Sequence, residues 1–272
     1  MEKNRVNMDN HFSDSILSPS FINLYIDCPH AAFLRYHEKH QPYFIDDTYI
    51  KIGKSGHSIL QNFYGNINLN APDIENEFME KMKITAFKYW DRTIDSQKRD
   101  DVEPAFFNWL KYEIQRYMNY KKQGCLDRFM PIAVEQTMKD YPNKIMSIID
   151  KRAMGVSGIQ YCIDYKFNKN LPAQRNFEGR LDKIDLPFKI QAALNAQVLK
   201  ANDINIGSFF YQFVRYPEKL LQVPLTSSLF DEVNQIITTI RQDTEFKKNP
   251  KSCFMCNFKM HCRLESRSVH CL

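Results

Sequence analysis

At about residue 130 the hydrophobic period of the chain changes, and this change sets the fold class: a helical front half followed by a small sheet with helices. Upstream, over 49–64, the apolar residues Ile52, Ile59, Leu60 and Phe63 recur at helical spacing and put His57 in mid-helix. Two longer helical patterns follow over 73–92 and 102–122, joined by a charged stretch over 97–103. Downstream, 130–138, 144–150 and 160–167 read as short β segments. They are separated by Tyr141-Pro142-Asn143 and by Gly155-Val156-Ser157-Gly158, which predicts an antiparallel meander. An amphipathic helix over 187–201, an aromatic strand over 207–216 and a helix over 226–247, capped by Thr226 or Ser227, complete an α/β (α+β) pattern. Near the start, Ser18-Pro19-Ser20 opens a helix that runs toward Cys28-Pro29, where the proline breaks or restarts it, and 31–36 reads as a second helical piece.

The pattern divides the chain into a polar, mobile leader (1–17), a helical region (18–129), a sheet-bearing core (130–247) and a cysteine-bearing end (248–272). No stretch approaches the roughly 18 apolar residues of a membrane span, and the opening residues lack the apolar core of a signal peptide. The expectation is a cytoplasmic protein with no membrane partner. A formal net charge of +5 is too small to identify a nucleic-acid partner, although clustered positive charge would suit one.

Three of the seven cysteines, Cys253, Cys256 and Cys262, fall within ten residues. In a cytosolic chain this spacing argues for metal or cluster ligation rather than disulfides. The pair Cys253 and Cys256 is not set in a βαβ pattern, which argues against redox catalysis. Four cysteines hold either zinc or an iron–sulfur cluster. His261, His270 and Cys271 are near enough in sequence to complete a purely local zinc site, whereas Cys28 lies far upstream in a Cys-Pro pair.

A carboxylate two residues before a lysine occurs twice, in Asp164-Tyr165-Lys166 and Glu245-Phe246-Lys247, and only the first lies in a predicted strand. Alternation puts Asp164 and Lys166 on one face, with Ile163 and Tyr165 on the other. Asp150 ends the preceding strand, and a hairpin through the Gly155 to Gly158 turn brings the two carboxylates together. Such a pair can hold magnesium or manganese, with Lys166 offsetting charge on a phosphate or orienting a water. The plain alternative is a solvated face with an Asp164–Lys166 ion pair. His57, in Gly53-Lys54-Ser55-Gly56-His57, sits where glycines allow close helix approach, although a lone helical histidine is usually just packed. Gln191 follows on the next helix. Phe87, Lys88, Tyr89, Trp90, Arg92, Lys98 and Arg99 interleave rings and charges that could guide single-stranded DNA, or else Phe87 and Trp90 are core and the charges solvated.

The order of these motifs resembles the RecB-type branch of the PD-(D/E)xK nucleases, in particular the CRISPR-associated exonucleases that carry an iron–sulfur cluster. The matching pieces run from Ser18 to Cys262. They are Ser20 to Pro29, the G-x-x-x-H stretch of Gly53 to His57, Ile148-Ile149-Asp150, Ile163-Asp164-Tyr165-Lys166, Gln191 as the start of Q-x-x-x-Y, and the terminal cysteine trio. The resemblance implies a restriction-endonuclease-like core, a small mixed sheet flanked by helices. It also implies metal ligation by His57, Asp150, Asp164 and the Tyr165 carbonyl, a catalytic Lys166, and Gln191 positioning substrate or water. Cys28, Cys253, Cys256 and Cys262 would hold a 4Fe-4S cluster that clasps the chain ends, and Glu135 on the first strand is either a further acid that would support the site from behind or a solvated strand residue. The implied activity is Mn2+- or Mg2+-dependent hydrolysis of DNA at ends or single-stranded overhangs, with the CRISPR integrase as partner. A RecB-like role in repair or a mobile element uses the same site, and a non-catalytic DNA-binding subunit is the rival of another class. The tyrosine of Q-x-x-x-Y is Asn195 here.

Overall fold

The computed structural model of the chain describes residues 12–44 and 46–262. Five strands form one mixed sheet in the order β1 (Ala133–Asp140), β2 (Ile145–Met154), β3 (Gln160–Lys166), β4 (Ser208–Phe213), β5 (Leu220–Val223). The first three strands are the expected antiparallel meander. β3 and β4 are parallel, because α6 (Leu186–Lys200) crosses over between them, and β5 returns antiparallel to β4.

Both sheet faces are covered. On one side α1 (Pro19–Asp27), α6 and α7 (Ser227–Gln242) pack Ile22, Leu194, Val198 and Val233 against Phe209, Tyr211 and Leu221. On the other, α3 (Thr48–Phe63), α4 (Ile74–Tyr89) and α5 (Ser96–Lys122) enclose Phe63, Phe78 and Trp109 with Ile163 and Tyr165. The helix starts are capped as their sequences dictate: Ser18, Asp73, Asp95 and Thr226 each accept from a backbone N–H of the first turn. Cys28 separates α1 from the short α2 (Pro29–Ala32), whose proline occupies a first-turn position where no N–H is needed.

The boundaries differ from the sequence pattern in instructive ways. The charged stretch over 97–103 is no connector: it forms the opening of α5, whose buried stripe of Val102, Ala105, Phe106, Trp109 and Leu110 keeps those charges on the solvent side. β2 continues four residues beyond Asp150, to the glycine turn. The last helix stops at Gln242, short of residue 247, and Phe246 adopts a left-handed backbone. Of the expected mobile leader, residues 1–11 lie outside the described residues, but Phe12 and Leu17 are buried. Phe12 meets Phe21 and Phe246 at ring separations of 4.8 and 5.0 Å, and Leu17 bonds across to Lys144 and Met146. Among the described residues no helix is long and apolar enough to cross a membrane.

Candidate active site

The site lies where β2 and β3 part. Their ladder runs from Met154 opposite Gln160 to Lys151 opposite Ile163. Beyond that point the backbone N–H of Tyr165 donates instead to Oδ2 of Asp150 at 2.8 Å, so a carboxylate fills the gap between the strands. β3 meanwhile stays paired to β4, with Asp164 opposite Tyr211. Alternation holds as the sequence predicts: Ile163 and Tyr165 enter the core under α3 and α5, while Asp164 and Lys166 meet Gln191 of α6.

Asp164, Lys166 and Gln191 form a closed set. Lys166 Nζ is 2.6 Å from Asp164 Oδ1 and donates to Gln191 Oε1 at 3.0 Å, while Gln191 Nε2 donates to Asp164 Oδ2 at 2.9 Å. Asp164 Oδ1 is buried, and the Lys166 ammonium is its close partner. Burial pushes the Asp164 carboxyl well above the usual range, Lys166 pulls it back in part, and Asp150 adds to the rise. The Tyr211 ring lies 5.1 Å beneath Lys166 Nζ, and its hydroxyl donates to the Phe188 carbonyl. Asn195 does not replace a ring here: it is buried, and its side-chain oxygen accepts from Ser147, tying α6 to β2.

A second convergence is centred on Asp150. His57 Nδ1 is 3.1 Å from Asp150 Oδ2 and 3.8 Å from Glu135 Oε1. One ligand atom from each of these residues lies within 4.8 Å of the other two. Glu135 reaches the site through its backbone. Val134 pairs with Lys151 and Gln136 with Ile149, so Glu135 falls opposite Asp150, yet it leaves the ladder with φ of +47°. A left-handed non-glycine residue inside a strand is strained, and here the strain turns an acid into the site. Burial and the neighbouring Asp150 raise the Glu135 carboxyl, with His57 opposing. Burial alone would lower the His57 imidazole, but Asp150, Asp164 and Glu135 together hold it above its ordinary value.

The structure brings His57, Asp150 and Glu135 together, while the Asp164 side chain turns to Lys166 and Gln191. Tyr165 contributes its N–H to Asp150.

His57 is seated by a close approach. Gly56 lies under the Phe167 ring, where a Cβ would stand 2.3 Å from Cε1 and Cζ, and the ring centroid is 5.4 Å from that of His57. Beside it opens a cleft of about 530 Å³ lined by His57, Lys166, Tyr49, Lys98, Lys169 and Arg215 among others. Behind the strands, Lys151 is fully buried, bonded to the Tyr64 hydroxyl and 3.4 Å from Glu113, which also pairs with Arg116 at 2.8 Å. No pattern in the sequence marks this group, because ions are read as surface by default.

Cys28, Cys253, Cys256 and Cys262 line one cavity of about 230 Å³, with Lys248 and Lys259 at its wall. None of the four is in a disulfide. Asn249 ties the two chain regions together, its backbone N–H donating to Cys28 Sγ at 3.4 Å and its side chain to the Asp27 carbonyl at 2.8 Å. Burial raises the Cys256 thiol, the Phe258 backbone opposes, and Cys28, Cys253 and Cys262 add to the rise. Among the described residues no three of these sulfurs lie within 4.8 Å of one another. His261 bonds to the Gln41 carbonyl at 3.1 Å and stacks on His40, while His270 and Cys271 lie outside the described residues.

The family model described as PD-(D/E)XK nuclease superfamily matches residues 16–263. No curated protein matches the chain. A solved structure described as "Putative exonuclease", from Eubacterium rectale, is similar at 9% identity and a TM-score of 0.42, covering 89% of this chain and 84% of its own.

Proposed function

The chain belongs to the PD-(D/E)XK nuclease superfamily, and on that premise we propose that it is a divalent-metal-dependent deoxyribonuclease that cuts DNA at ends or single-stranded overhangs. The observation that carries the reading is the meeting, at one strand fork, of the His57–Glu135–Asp150 group with the Asp164–Lys166–Gln191 set. The donors fit a hard cation: two carboxylates and an imidazole converge, with the buried Asp164 carboxylate beside them. We assign His57, Glu135, Asp150 and Asp164 as the groups that would hold Mn2+ or Mg2+, with the Tyr165 carbonyl as the further ligand the family pattern implies. When bound, such an ion polarises the phosphodiester and lowers the pKa of its water.

The chain's own residues do the rest. Lys166 places a cation beside the reacting phosphate, where it offsets negative charge that grows in the transition state. Gln191 holds Lys166 and Asp164 in register, each through one end of its amide. The cleft beside His57 brings Lys98, Lys169 and Arg215 to the phosphates of an approaching strand.

The finer reading, a CRISPR-associated RecB-type enzyme with a 4Fe-4S cluster that trims fragments before an integrase inserts them, is supported by the motif order and by the four-cysteine cavity. Cys28 lines a single cavity together with Cys253, Cys256 and Cys262, which brings the four ligands that the motif order implies to one place.

The test is to incubate anaerobically purified protein with end-labelled single- and double-stranded DNA, with manganese or with chelator, after recording its visible spectrum. Manganese-dependent cutting that is lost in Asp164→Ala and Lys166→Ala, with DNA binding retained, is expected, together with brown iron absorbance. Wild-type protein that binds but never cuts would favour an inert assembly subunit, and cutting preserved in both variants would place the active site elsewhere.

A further inference from the structure

A second depression, of about 440 Å³, lies at the junction of α4 and α5, apart from the catalytic cleft. Its walls are Phe87, Trp90, Phe106, Arg92, Arg99 and Glu103. The Phe87 ring is 77% exposed on the last turns of α4, which leaves a flat apolar face in water. The Arg92 guanidinium stands over that ring at 5.4 Å. An exposed π face and two guanidinium groups suit an aromatic heterocycle carried on a phosphate backbone.

The depression and the catalytic cleft flank the same helix. α5 stands between them, with Lys98 and Val102 lining the cleft and Arg99 and Phe106 lining the depression. Rings connect the two: Trp90 to Phe106 at 6.3 Å, Phe106 to Phe167 at 6.0 Å, and Phe167 to His57 at 5.4 Å. Successive nucleotides lie about 3.4 Å apart even in a stacked strand, so a strand of a few nucleotides spans the interval. Bases inside a duplex already stack on their neighbours, and only a single strand has a free base face to offer.

We propose that this depression is a base-stacking subsite for a single nucleic-acid strand whose scissile end lies in the cleft. Phe87 and Trp90 sandwich or flank a base, and Arg92 and Arg99 meet the adjoining phosphates. The location of the scissile end rests on the nuclease reading above, whereas base binding does not.

The experiment is fluorescence anisotropy in chelator, so that nothing is cut, with a labelled 20-mer of thymidylate, the matching uridylate strand, and a blunt 20-base-pair duplex. Phe87→Ala and Arg92→Gln, both surface changes whose folding is checked by circular dichroism, should each weaken strand binding, Phe87→Ala by about 5- to 100-fold, the loss that goes with one stacked base. Duplex binding should stay within twofold. The chain has two tryptophans and Trp109 is fully buried, so strand binding should quench emission from Trp90, and Trp90→Phe should abolish the quench. The uridylate arm tells whether RNA is gripped as DNA is, and a loss on either strand in Phe87→Ala supports the subsite. Strand affinity within twofold of wild type in both variants, an equal fall on the duplex, or unchanged emission at saturating strand would overturn it. Phe87-dependent binding with no manganese-dependent cutting would sink the nuclease reading alone.

Discussion

The fully buried Lys151 gives a stability prediction whose size follows from its surroundings. Burial, followed by the Arg116 guanidinium, depresses its amine to about 7, against the ordinary 10.5, while Glu113 opposes. Below pH 7 the amine is protonated in both the folded and the unfolded chain, and the burial penalty is present in full. Between about pH 7 and 10.5 the unfolded chain holds a proton that the folded chain has shed. The unfolded state then binds more protons, and stability rises with pH at up to about 1.4 kcal/mol per unit. The whole window amounts to at most about 5 kcal/mol, an upper bound because relaxation shrinks it. Lys151→Met removes the titration and leaves Glu113 its paired contact with Arg116 at 2.8 Å. Urea unfolding of wild type and variant at pH 7.5 and 9.5 should therefore show the wild type gaining roughly 2 to 3 kcal/mol on the variant over that interval. The variant should match or exceed the wild type at the lower pH. Parallel stability curves for the two proteins would refute the claim that Lys151 is forced toward its neutral form.

Glu135→Gln keeps the side-chain shape and removes one converging charge; manganese binding, by calorimetry, should weaken by about 10- to 100-fold and cutting should fall with it. Gly56→Ala puts a methyl into the Phe167 ring. It should lower both melting temperature and cutting, and adding Phe167→Ala should recover part of the stability in a double-mutant cycle. Cys256→Ser should lose iron absorbance and several degrees of melting temperature. Cys125→Ser should keep its iron, since Cys125 is a buried thiol bonded only to the Tyr120 carbonyl among the described residues.

What the sequence showed and what it hid divide along physical lines. Periodicity reports which face of an element meets the core, so the meander, α3 with its histidine, and the shared face of Asp164 and Lys166 were all readable. Charge misleads when it lies on the solvent side of a buried stripe, which is why 97–103 looked like a connector. A lone apolar residue has no period, so Phe12 looked like leader. The role of Glu135 was partly within reach: pairing counted back from the Tyr141-Pro142-Asn143 turn sets residue 135 opposite residue 150. Its positive φ was not, because glutamate rarely adopts one. Nor could Lys151 and Glu113 be found, since a buried ion is legible only once its partner is known.

The fork also explains why α3 carries both a site residue and a core tyrosine. His57 and Tyr64 are seven residues apart, two turns along the helix, and so lie on one face. His57 meets Asp150, and Tyr64 at the helix end meets Lys151, the next residue on β2. Adjacent strand residues point opposite ways, so one helix could not reach both if the sheet were regular. It does so because β2 and β3 separate just there, letting the Asp150 carboxylate enter the gap while Lys151 stays in the core. A rotation of α3 that moved His57 off Asp150 would also draw Tyr64 from Lys151 and leave a buried amine short of a partner. The bond between Lys151 and the Tyr64 hydroxyl therefore fixes the rotation of the helix that presents the imidazole. This ties the geometry of the site to a packing requirement on the far side of the strand.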